Sequence, residues 1–128
     1  MEYLDQGYGA CPLRETDAAQ IVANTLSHFD GDRYHLGDFV VMPNHVHVLV
    51  CLLGTIELES QCTSWKKYSA TKINRLLNQR GRFWQEESFD HLVRSPEQFD
   101  YLRRYIRENP IKAGLPAGAY LHRVRAEK

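Results

Sequence analysis

The amino-acid sequence predicts an α+β protein built on antiparallel strand pairing, and three observations carry that expectation. Apolar residues recur at helical spacing in three separate stretches. Between the first two lies a valine-rich run split by Pro43 and Asn44, the pattern of a hairpin. No internal repeat or low-complexity linker interrupts the chain, so helices and strands have to pack on one another. With 128 residues, 43% apolar and 25% charged, there is material for one hydrophobic core and not for two. Residues 1–128 are therefore expected to form one domain, with 116–128 a loose tail.

Each element has its own signal. The first helix begins at Thr16, a hydroxyl residue suited to capping a first turn, and Ile21, Val22, Leu26 and Phe29 mark its apolar face until Asp30-Gly31-Asp32 stops it. Residues 34–41 read as a strand, Met42-Pro43-Asn44 as a turn, and residues 45–53 as a second strand rich in valine and leucine. A long helix is expected over residues 58–79, with Cys62, Trp65, Ser69, Ile73, Leu76 and Leu77 on or near its buried face, ending before Gly81. Residues 82–84 and 89–93 could add two short strands. Ser95-Pro96 then starts a last helix, in which Phe99, Leu102 and Ile106 are spaced three and four apart and Pro110 closes the segment.

Composition narrows the function classes. The longest apolar stretch, residues 39–53, is broken by Pro43, Asn44, His45 and His47 and cannot span a bilayer, and the N-terminus lacks a basic region followed by an apolar one. The chain reads as soluble and cytoplasmic, with no membrane partner. Cys11, Cys51 and Cys62 are odd in number and lack CxxC spacing, which indicates neither a disulfide framework nor a zinc knuckle. The net charge of zero hides an asymmetry. Acidic side chains dominate residues 1–50, whereas residues 60–85 hold Lys66, Lys67, Lys72, Arg75, Arg80 and Arg82 with no acid at all. Interleaved with Trp65, Tyr68, Phe83 and Trp84, this stretch is either a solvated helix face or a surface for phosphates and unpaired bases.

Two segments carry candidate chemistry. In His45-Val46-His47, residues two apart on a strand, both imidazoles project from one face while Val46 turns to the other. Two neutral imidazoles side by side make half of a divalent-metal site that still needs an oxygen ligand; the bland alternative is a pair of structural histidines. In the last helix, Tyr101, Tyr105 and Asn109 follow one another at one-turn spacing beside the buried Leu102 and Ile106, so Tyr105 and Asn109 can reach the same point. Taken singly, either tyrosine fits an amphipathic aromatic at a core edge, and Asn109 fits a helix-ending residue before a proline.

In combination these segments resemble a known family. The run Val40-Val41-Met42-Pro43-Asn44-His45-Val46-His47-Val48-Leu49, then Ser64-Trp65-Lys66, then Phe83-Trp84-Gln85-Glu86 with Phe89-Asp90, and finally Tyr105-Ile106-Arg107-Glu108-Asn109-Pro110-Ile111-Lys112-Ala113-Gly114-Leu115, is similar to the REP-associated tyrosine transposases, which are single-tyrosine HUH transposases. The resemblance covers roughly residues 6–115. It implies a ferredoxin-like antiparallel sheet with helices packed on it, of the HUH endonuclease type, that binds Mg²⁺ or Mn²⁺ and nicks single-stranded or hairpin DNA. Carried over by position, His45, His47 and Asn109 would hold the metal and Tyr105 would be the nucleophile, forming a 5′-phosphotyrosine bond that a second strand can reverse in transposition. Lys66, Lys67, Lys72, Arg80, Arg82 and Trp65 would bind DNA, and Arg104 or Arg107 would steady phosphate charge.

The sequence departs from that pattern at its start. Members usually have a further strand and loop before the part resembling Leu4-Asp5-Gln6-Gly7-Tyr8-Gly9, so the sheet is expected to lack its first strand and to be open beside the histidine strand. Either a second subunit covers that edge in a homodimer, or the chain is a truncated, catalytically inactive nucleic-acid-binding relative. A phosphodiesterase that uses activated water, with Tyr105 only packing, is the third reading.

Overall fold

Strands and helices alternate along the chain. The computed structural model, which describes residues 2–8, 16–42, 45–78, 83–115 and 120–124, has the order β1 (Glu2–Tyr8), α1 (Thr16–His28), β2 (Tyr34–Val41), β3 (His45–Leu52), α2 (Leu58–Leu76), β4 (Trp84–Leu92), α3 (Pro96–Lys112) and β5 (Leu121–Arg123). The first six elements form the split β-α-β arrangement of ferredoxin-like domains, to which α3 and β5 are added. The sheet order is β4-β1-β3-β2-β5, antiparallel at every step. The α+β expectation therefore holds.

Period-two alternation divides the sheet into two faces. Val46, Val48 and Val50 of β3 join Val22 and Leu26 of α1 and Cys62, Trp65 and Ile73 of α2 in the larger core. Leu49 turns the other way and meets Tyr3, Val40, Leu102 and Ile106 in a smaller core under α3. Strand β2 keeps its large residues on the first face by a change of register: Tyr34 and Leu36 lie there, and so do Phe39 and Val41, because pairing with β3 shifts between Leu36 and Phe39. Gly37 stands at that shift, where an added Cβ would come 2.9 Å from the Leu49 carbonyl oxygen. The next residue, Asp38, is buried and accepts a hydrogen bond from Arg103 Nε on α3 at 2.8 Å.

Several expectations are corrected. The first strand is not missing: β1 lies between β3 and β4 and pairs with both, so β3 has no open edge. Neither a second subunit nor a lost strand is needed there. Its sequence, Glu-Tyr-Leu-Asp-Gln-Gly-Tyr, mixes strand-favouring Tyr3 and Tyr8 with Glu2, Asp5 and Gly7, and two neighbouring ladders hold it extended. The two short strands expected over residues 82–93 are one strand, β4, whose polar middle Gln85-Glu86-Glu87-Ser88 gives no strand signal in sequence. Helix α2 stops three residues early, where Asn78 adopts a left-handed φ of 52°. Residues 121–123 of the expected tail pair with β2.

Helix α3 runs past Pro110. Proline costs one backbone hydrogen bond in the last turn, but Pro110 is buried and the helix continues to Lys112. It ends in a Schellman motif: Gly114, at φ 75°, donates to the Ile111 carbonyl and Leu115 to the Pro110 carbonyl, both at 3.0 Å. Asn109 therefore keeps helical geometry. The expected turn residues Pro43 and Asn44 lie outside the described residues.

Candidate active site

The face of the sheet under α3 gathers the ionisable groups. Register places Asp5 of β1 opposite His47 of β3, and strand alternation puts Tyr3, Asp5, His45 and His47 on one side. His45 Nδ1–H donates to Asp5 Oδ1 at 3.0 Å. His47 Nδ1 lies 2.6 Å from the Tyr3 hydroxyl and 3.9 Å from the same Asp5 oxygen. The two imidazoles are stacked, with centroids 6.0 Å apart. Their exposure differs: the His45 side chain is 41% exposed and that of His47 5%.

Helix α3 brings its tyrosines over this row. The Tyr105 ring stands edge-on to His47 at 5.8 Å and to Tyr3 at 6.3 Å, and Tyr101 stacks on Tyr105 at 6.4 Å from the solvent side. Leu102 and Ile106 anchor the helix on the small core, which fixes the flank that carries Tyr101, Tyr105 and Asn109. Asn109 is half-buried one turn beyond Tyr105.

Electrostatics follows from burial. Desolvation pushes the His47 pKa below its ordinary 6.5, with the Asp5 carboxylate opposing and His45 adding to the shift. The imidazole is thus neutral, the state a metal ligand requires. Burial, then the neighbouring Asp5 carboxylate, drives the Tyr3 phenol far above its ordinary 10, so Tyr3 stays protonated.

These donors fit a divalent cation in type. His45 Nδ1 is held by the Asp5 carboxylate, the arrangement in which a carboxylate orients a metal-binding imidazole, and His47 Nδ1 is held by the Tyr3 hydroxyl; with Nδ1 protonated, each Nε2 would keep its lone pair. Among the described residues no group of three or more His, Cys, Asp or Glu side chains is placed to hold a metal ion.

The other expected site residues lie elsewhere. Trp65 is buried at 6% exposure and its indole N–H donates to the Tyr34 hydroxyl at 2.9 Å, so it is a core residue and not a stacking platform for bases. Phe83 and Trp84 are buried too. Lys66 is half-buried beside the larger core, while Lys67 and Lys72 line an exposed groove of about 380 Å³ with Ser64, Tyr68, Thr71 and Arg75. Lys72 Nζ sits 4.5 Å over the Tyr68 ring. This groove is on the face opposite Tyr105. Arg80 and Arg82 lie outside the described residues. Sequence reasoning missed Tyr3 and Asp5, whose one signal was their period-two placement in an otherwise unremarkable N-terminal segment.

Comparison with known proteins places these features in context. The sequence profile of the family described as "Transposase IS200 like" matches residues 14–109. Among solved structures, the fold is similar to that of a REP-associated tyrosine transposase bound to a REP hairpin, with a TM-score of 0.71 and 18% identity over 90% of this chain and 68% of that one. It is also similar to a candidate transposase from Deinococcus radiodurans R1, with a TM-score of 0.57 and 17% identity over 84% of this chain and 89% of that one. At such identities the solved structures speak to the fold alone. No curated protein matches the chain.

Proposed function

The chain belongs to the IS200-like transposase family, and from that premise we propose that it cuts and rejoins single-stranded DNA, with Tyr105 as nucleophile and Mg²⁺ or Mn²⁺ held by His45, His47 and Asn109. One observation carries the reading: the Tyr105 ring lies 5.8 Å from the ring of His47, beside the two-histidine row. A bound cation would polarise the scissile phosphate and offset its developing negative charge.

The chain's own residues do the rest. Asp5 and Tyr3 hold the Nδ1 sides of His45 and His47, which leaves both Nε2 atoms available to a cation. Leu102 and Ile106 fix the pitch of α3, so Tyr105 approaches as a rigidly borne phenol. Its Oη forms a bond to phosphorus as the bond from phosphorus to the 3′ oxygen breaks, and the phenol proton leaves, in net, on the 3′-hydroxyl. The product is a 5′-phosphotyrosine. Attack by the 3′-hydroxyl of another strand reverses the step and keeps the phosphodiester energy, so no nucleotide cofactor is required.

The solved relative bound to a REP hairpin supports hairpin DNA as the partner of this chain as well. Lys67 and Lys72, on the opposite face, would hold a second part of such a hairpin and cannot touch the scissile phosphate. The rival reading of a truncated, inert binder rested on an absent first strand, and β1 removes that premise. The test is nicking of end-labelled single-stranded hairpins with Mn²⁺ or Mg²⁺. Metal-dependent cleavage is expected, and no cleavage across a varied hairpin library would count against the proposal.

A further inference from the structure

Helix α3 has a second flank that the proposed reaction does not use. At 100° per residue, Asp100, Arg103 and Arg107 fall on the side away from Tyr105 and Asn109, and Arg104 lies between the two flanks. Together with Asp38 of β2, His122 of β5 and Val124 they line a cavity of about 280 Å³. The arginines expected from sequence to steady charge at the tyrosine are thus turned toward the β2–β5 edge of the sheet.

The charges in this cavity are unequal. Arg103 is neutralised by Asp38 at 2.8 Å. Arg104 and Arg107 are exposed, and one carboxylate, Asp100, stands near them one turn before Arg104. Opposite them, His122 Nε2 is buried with no hydrogen-bond partner among the described residues. A buried ring nitrogen without a partner costs about 1–3 kcal/mol unless a ligand or water supplies one. Excess guanidinium, an orphaned imidazole nitrogen and room for several waters at ~30 Å³ each describe a receptor for a small tetrahedral oxyanion.

We propose that the cavity between α3 and the β2–β5 edge is a phosphate-binding site, in which Arg104, Arg107 and His122 take one phosphate group. In its deeper form the inference rests on the proposed DNA chemistry: the group is a backbone phosphate of the strand, gripped about one helix diameter, ~10 Å, from Tyr105. A free phosphate ion has the same chemistry and is the other source.

The experiment follows the His122 ring by NMR in the full-length, metal-free protein, titrated with inorganic phosphate and, separately, with a ten-nucleotide thymidine strand. A saturable His122 shift is expected. Burial, with Asp38 opposing and Arg107 adding, holds the His122 pKa below its ordinary 6.5, and a bound anion should raise it. Arg107→Gln should weaken the response about tenfold and lower the salt slope of strand affinity by about 0.7, the share of one single-strand phosphate. Arg104→Gln, also an exposed position, gives a second variant should the first fold poorly. A shift with phosphate alone supports the free-ion source, and a shift with the strand supports the backbone source. A His122 ring indifferent to both, or equally responsive in both variants, overturns the site. Because the readout needs no cleavage, failure of the nicking chemistry would leave it intact, and the reverse.

Discussion

On the face of the sheet covered by α1 and α2, buried polar side chains bond to one another inside the fold, Gln61 Nε2 excepted, whereas on the face covered by α3 they are left turned toward one another and toward solvent. Trp65 donates to the Tyr34 hydroxyl, Tyr34 to the Leu26 carbonyl, Trp84 to Ser69 Oγ at 2.9 Å, and Ser69 to the Trp65 carbonyl at 2.6 Å, all within a core that contains Phe39, Val48, Val50 and Ile73. Under α3 the apolar set is smaller, and beside it stand Asp5, His45, His47 and Tyr105 on one flank and Asp38, Arg103, Arg107 and His122 on the other. One sheet thus separates stability from chemistry. Substitutions on the closed face should cost folding, and substitutions of the polar row Asp5, His45, His47 and Tyr105 should cost it little.

The comparison can be broken by substitution. Phe39→Ala, at a position with 0% exposure, should cost about 3–5 kcal/mol in a denaturant titration; a loss below 1 kcal/mol would mean that the face relaxes more than a close-packed core does. Asp5→Asn should instead leave stability within about 1 kcal/mol and weaken Mn²⁺ affinity about 10–100-fold by calorimetry, since it removes the carboxylate shared by both imidazoles. Unchanged affinity would make Asp5 a packing residue. Gly37→Ala should cost about 1–3 kcal/mol, because its methyl meets the Leu49 carbonyl oxygen at 2.9 Å and β3 has to move.

A smaller effect comes from pH. Folding holds the pKa of His47 and of His122 below 6.5, so the folded state binds fewer protons than the unfolded chain as pH falls through that value. Their contribution to stability is complete above about pH 7.5 and shrinks as pH drops from about 6.5 toward their folded values. In metal-free protein the melting temperature should therefore decline between pH 7.5 and 5. A flat profile, or the same decline after both histidines are replaced by glutamine, would contradict the neutral state assigned to them.

The helix faces of the closed side and part of the open site were both legible in sequence. His45-Val46-His47 in a strand and the one-turn spacing of Tyr105 and Asn109 each follow from local periodicity, and β3 and α3 have the periods that expose them. What stayed hidden depends on distant pairing. Tyr3 and Asp5 meet the histidines only because β1 inserts between β3 and β4, and the mixed composition of Glu2–Tyr8 does not announce a strand. Trp65 is legible as a residue of the buried face of α2, and only its grouping with the basic residues around it misleads; its one polar atom finds Tyr34. The course of α3 beyond Pro110 depends on the Schellman contacts of Gly114 and Leu115, which compensate what the proline removes.

The most direct test of the account is to trap the protein on single-stranded hairpin DNA with Mn²⁺, digest the covalent adduct and map the modified peptide by mass spectrometry. Attachment at Tyr105, lost in Tyr105→Phe while the melting temperature and DNA affinity stay unchanged, is the predicted result. Attachment at Tyr101, or adduct yield unaffected by Tyr105→Phe, would contradict it.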